Sequence, residues 1–257
     1  ILSIDASTQN VYHFSDTDKN ISLLDISETF GTYDGSFVLY DNNLDSWKIY
    51  DLEEATKRIP PESTYKIYDA LLGLESGIIT PEHSSMTWNG DAFPFPSWEA
   101  DQDLNSAMQN SVNWYFQAID SQLGINRVQE FLNKIEYGNQ TTSSNLDLYW
   151  SDFSLKISPL EQVTLLKKFN TNEFHLNSQN VFSVKNAIKI ASTPNGNFYG
   201  KTGTGRVNGQ DINGWFIGYV ETSDNSYYFA TNIQSDSNAT GKKAFEITSD
   251  ILKKLHI

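Results

Sequence analysis

At 257 residues, 39% hydrophobic and 13% aromatic, the chain is long enough to bury a sizeable core. Its 32 acidic against 18 basic residues give a formal charge of -14, which argues against a nucleic-acid partner, because phosphate backbones are bound through clustered Lys and Arg. The absence of cysteine excludes a disulfide framework and a thiolate metal site, and no apolar run approaches a membrane span or a signal-peptide core.

The chain opens on Ile1, as expected of a piece excised from something longer. Residues 1–30 are polar with weak periodicity and read as an irregular lead-in. Residues 35–41 and 46–50 are β-branched and aromatic runs around the polar turn Asn42-Asn43-Leu44-Asp45, which predicts a hairpin. Pro60-Pro61-Glu62 breaks the chain, and Ile67, Ala70, Leu71 and Leu74 then recur at helical spacing until Gly77. From about 80 to 190 the pattern is mainly helical, with helices expected over 104–119, 128–135 and 159–169. Three strands follow at 197–204, 214–222 and 226–233, separated by Asn208-Gly209 and Asp224-Asn225. A last helix over 241–256 carries Phe245, Thr248, Ile251, Leu252 and Leu255 on one stripe.

Strands at both ends and helices between them predict an α+β fold. One antiparallel sheet forms from the hairpin and the last three strands, terminal helices cover it, and a mainly helical lobe is inserted. The whole of 1–257 reads as one domain, with a sheet lobe at about 31–60 and 190–257 and a helical lobe at about 61–189. The seam between the lobes is a natural cleft.

Ser63-Thr64-Tyr65-Lys66 stands where a helix begins. A serine and a lysine three residues apart share a helix face. A serine hydroxyl is a weak nucleophile until a base takes its proton, and a lysine can be that base only if its pKa falls far below the usual 10.4, where roughly one amine in a few thousand is neutral at pH 7. An apolar cleft supplies that shift. Two further elements support covalent acylation: Ser111-Val112-Asn113 in the helical lobe and Lys201-Thr202-Gly203-Thr204-Gly205 on a late strand. Taken singly, each has a plainer reading: Ser63 as a helix cap, Lys66 as an exposed helical lysine, Ser111 as a helix-end hydrogen bond, Trp150 as core packing.

Ser-x-x-Lys, Ser-x-Asn and Lys-Thr-Gly in this order resemble the penicillin-recognising serine acyl-transferases, which include penicillin-binding proteins, serine β-lactamases and β-lactam sensors. Tyr137-Gly138-Asn139, Trp150 with Leu155-Lys156-Ile157-Ser158, and residues 214–221 resemble the class D β-lactamase branch. Residues 63–68, 110–115 and 199–205 are most similar to the extracellular sensor domains of BlaR/MecR-type transducers, whose membrane-embedded zinc protease region has no counterpart here.

The resemblance implies a role for each matching residue. Ser63 is acylated by the β-lactam and Lys66 is the general base. In class D relatives such a lysine captures carbon dioxide to become a carbamate (N6-carboxylysine), steadied by the residue corresponding to Trp150. No other cofactor and no metal is implied. Ser111 relays a proton to the lactam nitrogen. Lys201 attracts the drug carboxylate, Thr202 and Thr204 hydrogen-bond it, and Gly203 permits its close approach. The oxyanion hole is made by the backbone N–H groups of Ser63 and Thr204. Asn113 departs from the class D pattern, where an apolar residue keeps the lysine pocket dry. An amide there competes for Lys66 or destabilises its carbamate, so the acyl adduct persists. The expected function is therefore a β-lactam receptor that acylates once and signals induction of resistance, rather than a turnover enzyme. Its partners are β-lactams and the rest of its own transducer chain, at the extracellular face of the bacterial membrane. The alternatives are a secreted class D β-lactamase and a peptidoglycan D,D-peptidase.

Overall fold

The computed structural model describes residues 10–14 and 20–257. Part of the lead-in expected over 1–30, at positions 1–9 and 15–19, lies outside the described residues. The rest of that stretch is irregular in part, but it also carries strand β1 (Asn20–Leu23) and a single helical turn, α1 (Ser27–Phe30), which the sequence pattern does not mark. The hairpin forms as β2 (Asp34–Asp41) and β3 (Ser46–Tyr50), with Tyr40 opposite Trp47, and a short helix α2 (Leu52–Thr56) follows. After a 3-10 turn at Glu62–Tyr65 come α3 (Lys66–Glu75), α4 (Leu104–Gln109), α5 (Asn113–Leu123), α6 (Ile125–Ile135), α7 (Pro159–Asn170) and α8 (Ser178–Ala187). The chain returns to the sheet with β4 (Lys189–Thr193), β5 (Gly196–Val207), β6 (Gln210–Glu221) and β7 (Ser226–Gln234), and ends in α9 (Gly241–Lys254).

The sheet has the order β1-β3-β2-β7-β6-β5-β4 and is antiparallel except for the β1–β3 pair. The two strands that the sequence pattern does not mark are its two edges. β4 is exposed along its length and β1 nearly so, and neither buries a face that would impose alternation of apolar and polar residues.

In the centre both faces are buried and side chains sort by the period of two. Phe37, Leu39, Phe216, Phe229 and Ile233 meet α9 through Ala244, Ile247, Ile251 and Leu252. Val38, Tyr40, Trp215, Ile217 and Tyr219 face the larger core shared with α3, α5 and α7. At ~1.5–3 kcal/mol for each large apolar side chain taken out of water, the α9 stripe alone holds that helix on the sheet. This leaves β5 and the start of β6 against the 3-10 turn that leads into α3.

The helix expected over 104–119 is two. α4 stops at Gln109, and Ser111 adopts the left-handed conformation (φ 53°) before α5 begins at Asn113. A non-glycine residue held there costs on the order of 1–3 kcal/mol and persists only where its surroundings fix it.

Candidate acylation site

Ser63 does not cap a helix. It sits in the 3-10 turn one step ahead of α3, and no side chain caps either element. Several elements hold this turn. Thr64 Oγ donates to the Pro61 carbonyl at 2.6 Å, and Gln162 of α7 donates to Thr64 Oγ at 2.9 Å. Trp215 Nε1 and Asn213 Nδ2 donate to the Pro60 carbonyl at 2.9 and 3.1 Å. The Glu62 N–H reaches the Trp150 carbonyl at 3.1 Å. Gly138 is packed against the Lys156 carbonyl in left-handed geometry, and Asn139 binds Ser154 and Lys156, so the Tyr137-Gly138-Asn139 segment anchors the loop that carries Trp150.

Lys66 is fully buried. Its Nζ lies 2.9 Å from Ser63 Oγ, 3.0 Å from the Ser111 carbonyl, 3.1 Å from Ser111 Oγ and 2.5 Å from Asn113 Oδ1. The rings of Phe116 and Trp150 wall the amine at 5.6 and 5.7 Å. Burial, followed by the nearby Lys201 charge, holds the Lys66 pKa well below that of an ordinary lysine. A neutral amine has two hydrogens and one lone pair. The Ser111 carbonyl and Asn113 Oδ1 can only accept, so they take the hydrogens, and the lone pair is left for the Ser63 hydroxyl proton.

Lys201 comes from β5 and is almost fully buried. Its Nζ reaches Ser111 Oγ at 3.1 Å and the Thr202 carbonyl at 2.9 Å, and burial pushes its pKa down to about 7. Ser111 Oγ thus bridges the two amines, from a residue held in left-handed geometry.

β5 passes close to the nucleophile turn. A Cβ on Gly203 would stand 3.2 Å from Ser63 N and from the Pro61 carbonyl, and one on Gly205 would collide with the Glu62 carboxyl. Thr204 Oγ accepts the Gly241 N–H at 2.9 Å, leaving its own O–H as a donor. Ser63, Ser111, Asn113, Thr202, Gly203 and Thr204 line one cleft of about 440 Å³, with Phe95 and Trp98 on its far rim and Arg206 beside Asp211 at its mouth. All the residues singled out in the sequence meet at this seam except Trp150, which lies behind Lys66 as a wall.

Sequence reasoning missed Glu62, Asn213, Gln162 and Phe116. Only Glu62, next to the nucleophile, carried a positional signal. It is buried in left-handed geometry (φ 53°) with Asn213 Nδ2 at 3.3 Å, and burial raises its pKa to about 8 from a usual 4.5. Between those values the folded protein keeps a proton on Glu62 that the unfolded chain has lost. Its contribution to stability is therefore full below pH 4.5 and is lost as pH rises through 8. Glu62→Gln should remove this dependence, gaining stability over the parent by about 1 kcal/mol or more at pH 9 relative to pH 5. Denaturant melts at the two pH values check it, and an unchanged difference between the proteins would refute the assignment.

Together, fold and site define a class: an α+β domain whose cleft sets a buried lysine beside a serine. The match to the penicillin binding protein transpeptidase domain covers residues 28–253, and the chain belongs to that family. It is 47% identical over 237 residues to the regulatory protein BlaR1 of Bacillus licheniformis, covering 91% of this chain and 39% of that one. The chain thus spans about two fifths of the length of the curated relative it matches. Among solved structures it resembles the C-terminal domain of the Bacillus licheniformis BlaR penicillin-receptor (46% identity, TM-score 0.89, 92% of this chain and 97% of that one). It also resembles the class D beta-lactamase BAT-2 (37%, TM-score 0.85, 91% and 96%).

Proposed function

We propose that this domain is a β-lactam sensor, acylated once at Ser63 and slow to release the adduct. The observation that carries the proposal is the position of Lys66 Nζ, 2.9 Å from Ser63 Oγ and 2.5 Å from Asn113 Oδ1. The first contact suits an acylation base. The second retires that base once the ester has formed. Lys66 takes the Ser63 proton as Oγ attacks the lactam carbonyl, and the backbone N–H groups of Ser63 and Thr204 receive the oxyanion. The C–N bond then breaks, and the lactam nitrogen takes a proton from Ser111 Oγ, which is replenished by Lys66 or Lys201. Lys201 as a cation, with Thr202 and Thr204 as donors, holds the drug carboxylate, and Gly203 and Gly205 keep the strand free of side chains that would obstruct it.

Carboxylation of Lys66 by carbon dioxide would replace the amine with an anionic carbamate as the proton acceptor at the same place. The donors present for it are the Ser63 and Ser111 hydroxyls and the Trp150 indole N–H. The two pure acceptors beside Nζ, the Ser111 carbonyl and Asn113 Oδ1, are matched to N–H hydrogens rather than to carbamate oxygens. On this reading the unmodified amine is the acylating base. Similarity to BlaR1 further supports placement at the extracellular face of the membrane, with the signal passed to the remainder of a longer chain.

A chromogenic cephalosporin tests the reading against that of a class D β-lactamase. A stoichiometric burst followed by a flat line is expected, with the mass of one opened drug on Ser63 and none on Ser63→Ala. Sustained steady-state hydrolysis would overturn it.

A further inference from the structure

Beneath Lys66 lies a second titratable centre with no part in the steps above. Asp69, one turn along α3, and Asp120 of α5 are both fully buried. Tyr149 donates to Asp120 Oδ1 at 3.2 Å. No described residue supplies a donor to either oxygen of Asp69 or to Asp120 Oδ2. The two carboxyls lie within hydrogen-bonding reach of each other. Two carboxylates facing one another offer acceptors only, so this approach is favourable only with a proton between them.

We propose that Asp69 carries that proton and donates it to Asp120, so that Asp69 acts as a neutral positioning residue that leaves Lys66 without a counter-charge one turn away. This rests on the reading of Lys66 as the acylation base. The asymmetry follows from the partners: Tyr149 stabilises charge on Asp120, and nothing does so on Asp69. Burial and the Asp120 charge push the Asp69 carboxyl well above the usual range, while burial takes Asp120 to about 7. The charged and titratable groups facing the pair and Lys66 are Lys66 itself on α3, Lys201 on β5, Glu62 and Tyr65 on the nucleophile turn, and Asp147 and Tyr149 from the loop before Trp150. An ionised Asp69 among these would favour the ammonium form of Lys66 and withhold the base.

Infrared spectroscopy of the unmutated protein at pH 7, with and without carboxyl-13C-aspartate, tests the proton directly. A protonated-carboxyl band should shift on labelling, which a band from Glu62 would not do, and the band should be lost in Asp69→Asn. Absence of an aspartate-derived band overturns the proposal whether or not the variant folds. The amide introduced by Asp69→Asn would mimic the protonated acid, donating to Asp120. The pH at which acylation rises to half its maximum should therefore be the same in Asp69→Asn as in the parent. A move of that midpoint to lower pH by about half a unit or more would mean that Asp69 had been an ionised counter-charge, and would also overturn the proposal. The infrared result stands independently of acylation, so failure of Lys66 as the base, read from Lys66→Ala, is distinguishable from failure here.

Discussion

Lys66→Ala is expected to slow acylation of Ser63 by about 100- to 10,000-fold, the usual worth of a positioned general base. The parent supplies a neutral amine 2.9 Å from Oγ, already stripped of solvent, with its hydrogens committed to Asn113 and Ser111. The variant leaves Ser63 with no acceptor for its proton other than water. Stability should hold, because the side chain removed is one whose charged form burial disfavours, and α3 keeps its buried apolar face of Ile67, Ala70, Leu71 and Leu74. The check is the rate of adduct formation by mass spectrometry beside a thermal melt, and near-parental acylation would refute the role. In the parent, the rate should climb as pH rises through the lowered pKa of Lys66, because only the deprotonated amine is a base. It should fall as Lys201, with a pKa near 7, loses the charge that attracts the drug carboxylate. The expected profile is a bell whose limbs belong to the two amines as a coupled pair. Lys201→Ala should abolish the falling limb.

The site was legible in the sequence where chemistry demands a residue type at a fixed spacing. Ser63 and Lys66 lie one helical turn apart. The glycines of β5 mark its approach to the turn that carries Ser63. The central strands were likewise readable as β-branched and aromatic runs between turn residues, as at Phe37, Val38, Leu39 and Tyr40, which are buried on both faces of the sheet. Contributions depending on contacts between distant segments were not readable. β1 and β4 have no alternating pattern because they are exposed edges. The break between α4 and α5 has no Gly or Pro to announce it; the left-handed Ser111 is fixed by what Lys66 and Lys201 bind. Glu62, Asp69 and Asp120 look like ordinary surface acids in a chain of net charge -14, and only the fold buries them. Asn113 was readable as a departure from the class D pattern, but not its distance from the amine.

That distance yields the last expectation: Asn113→Val should turn a single acylation into slow turnover. Before reaction Ser63 Oγ carries a hydrogen and can donate to the Lys66 lone pair. Once acylated, Oγ is an ester oxygen and only accepts. Nζ then faces Ser63 Oγ, the Ser111 carbonyl and Asn113 Oδ1 as pure acceptors, with the Ser111 hydroxyl at 3.1 Å able to accept as well, and this set suits the hydrogens of an ammonium. Lys66 therefore keeps the proton it took from Ser63 when Lys201 replenishes Ser111, and no base is left to activate water against the ester. Valine in place of Asn113 removes the shortest of these acceptors and leaves the ammonium only the Ser111 hydroxyl, shared with Lys201, in its place. A hydrogen bond to a charged group is worth about 1.5–3 kcal/mol, so the Lys66 pKa in the adduct should drop by about 1–2 units. Deacylation near neutral pH should then speed up about 10- to 100-fold. With excess chromogenic cephalosporin, product should continue to rise after the burst in Asn113→Val, and the adduct should decay once free drug is removed. A flat line as in the parent would mean that persistence of the adduct does not depend on this amide.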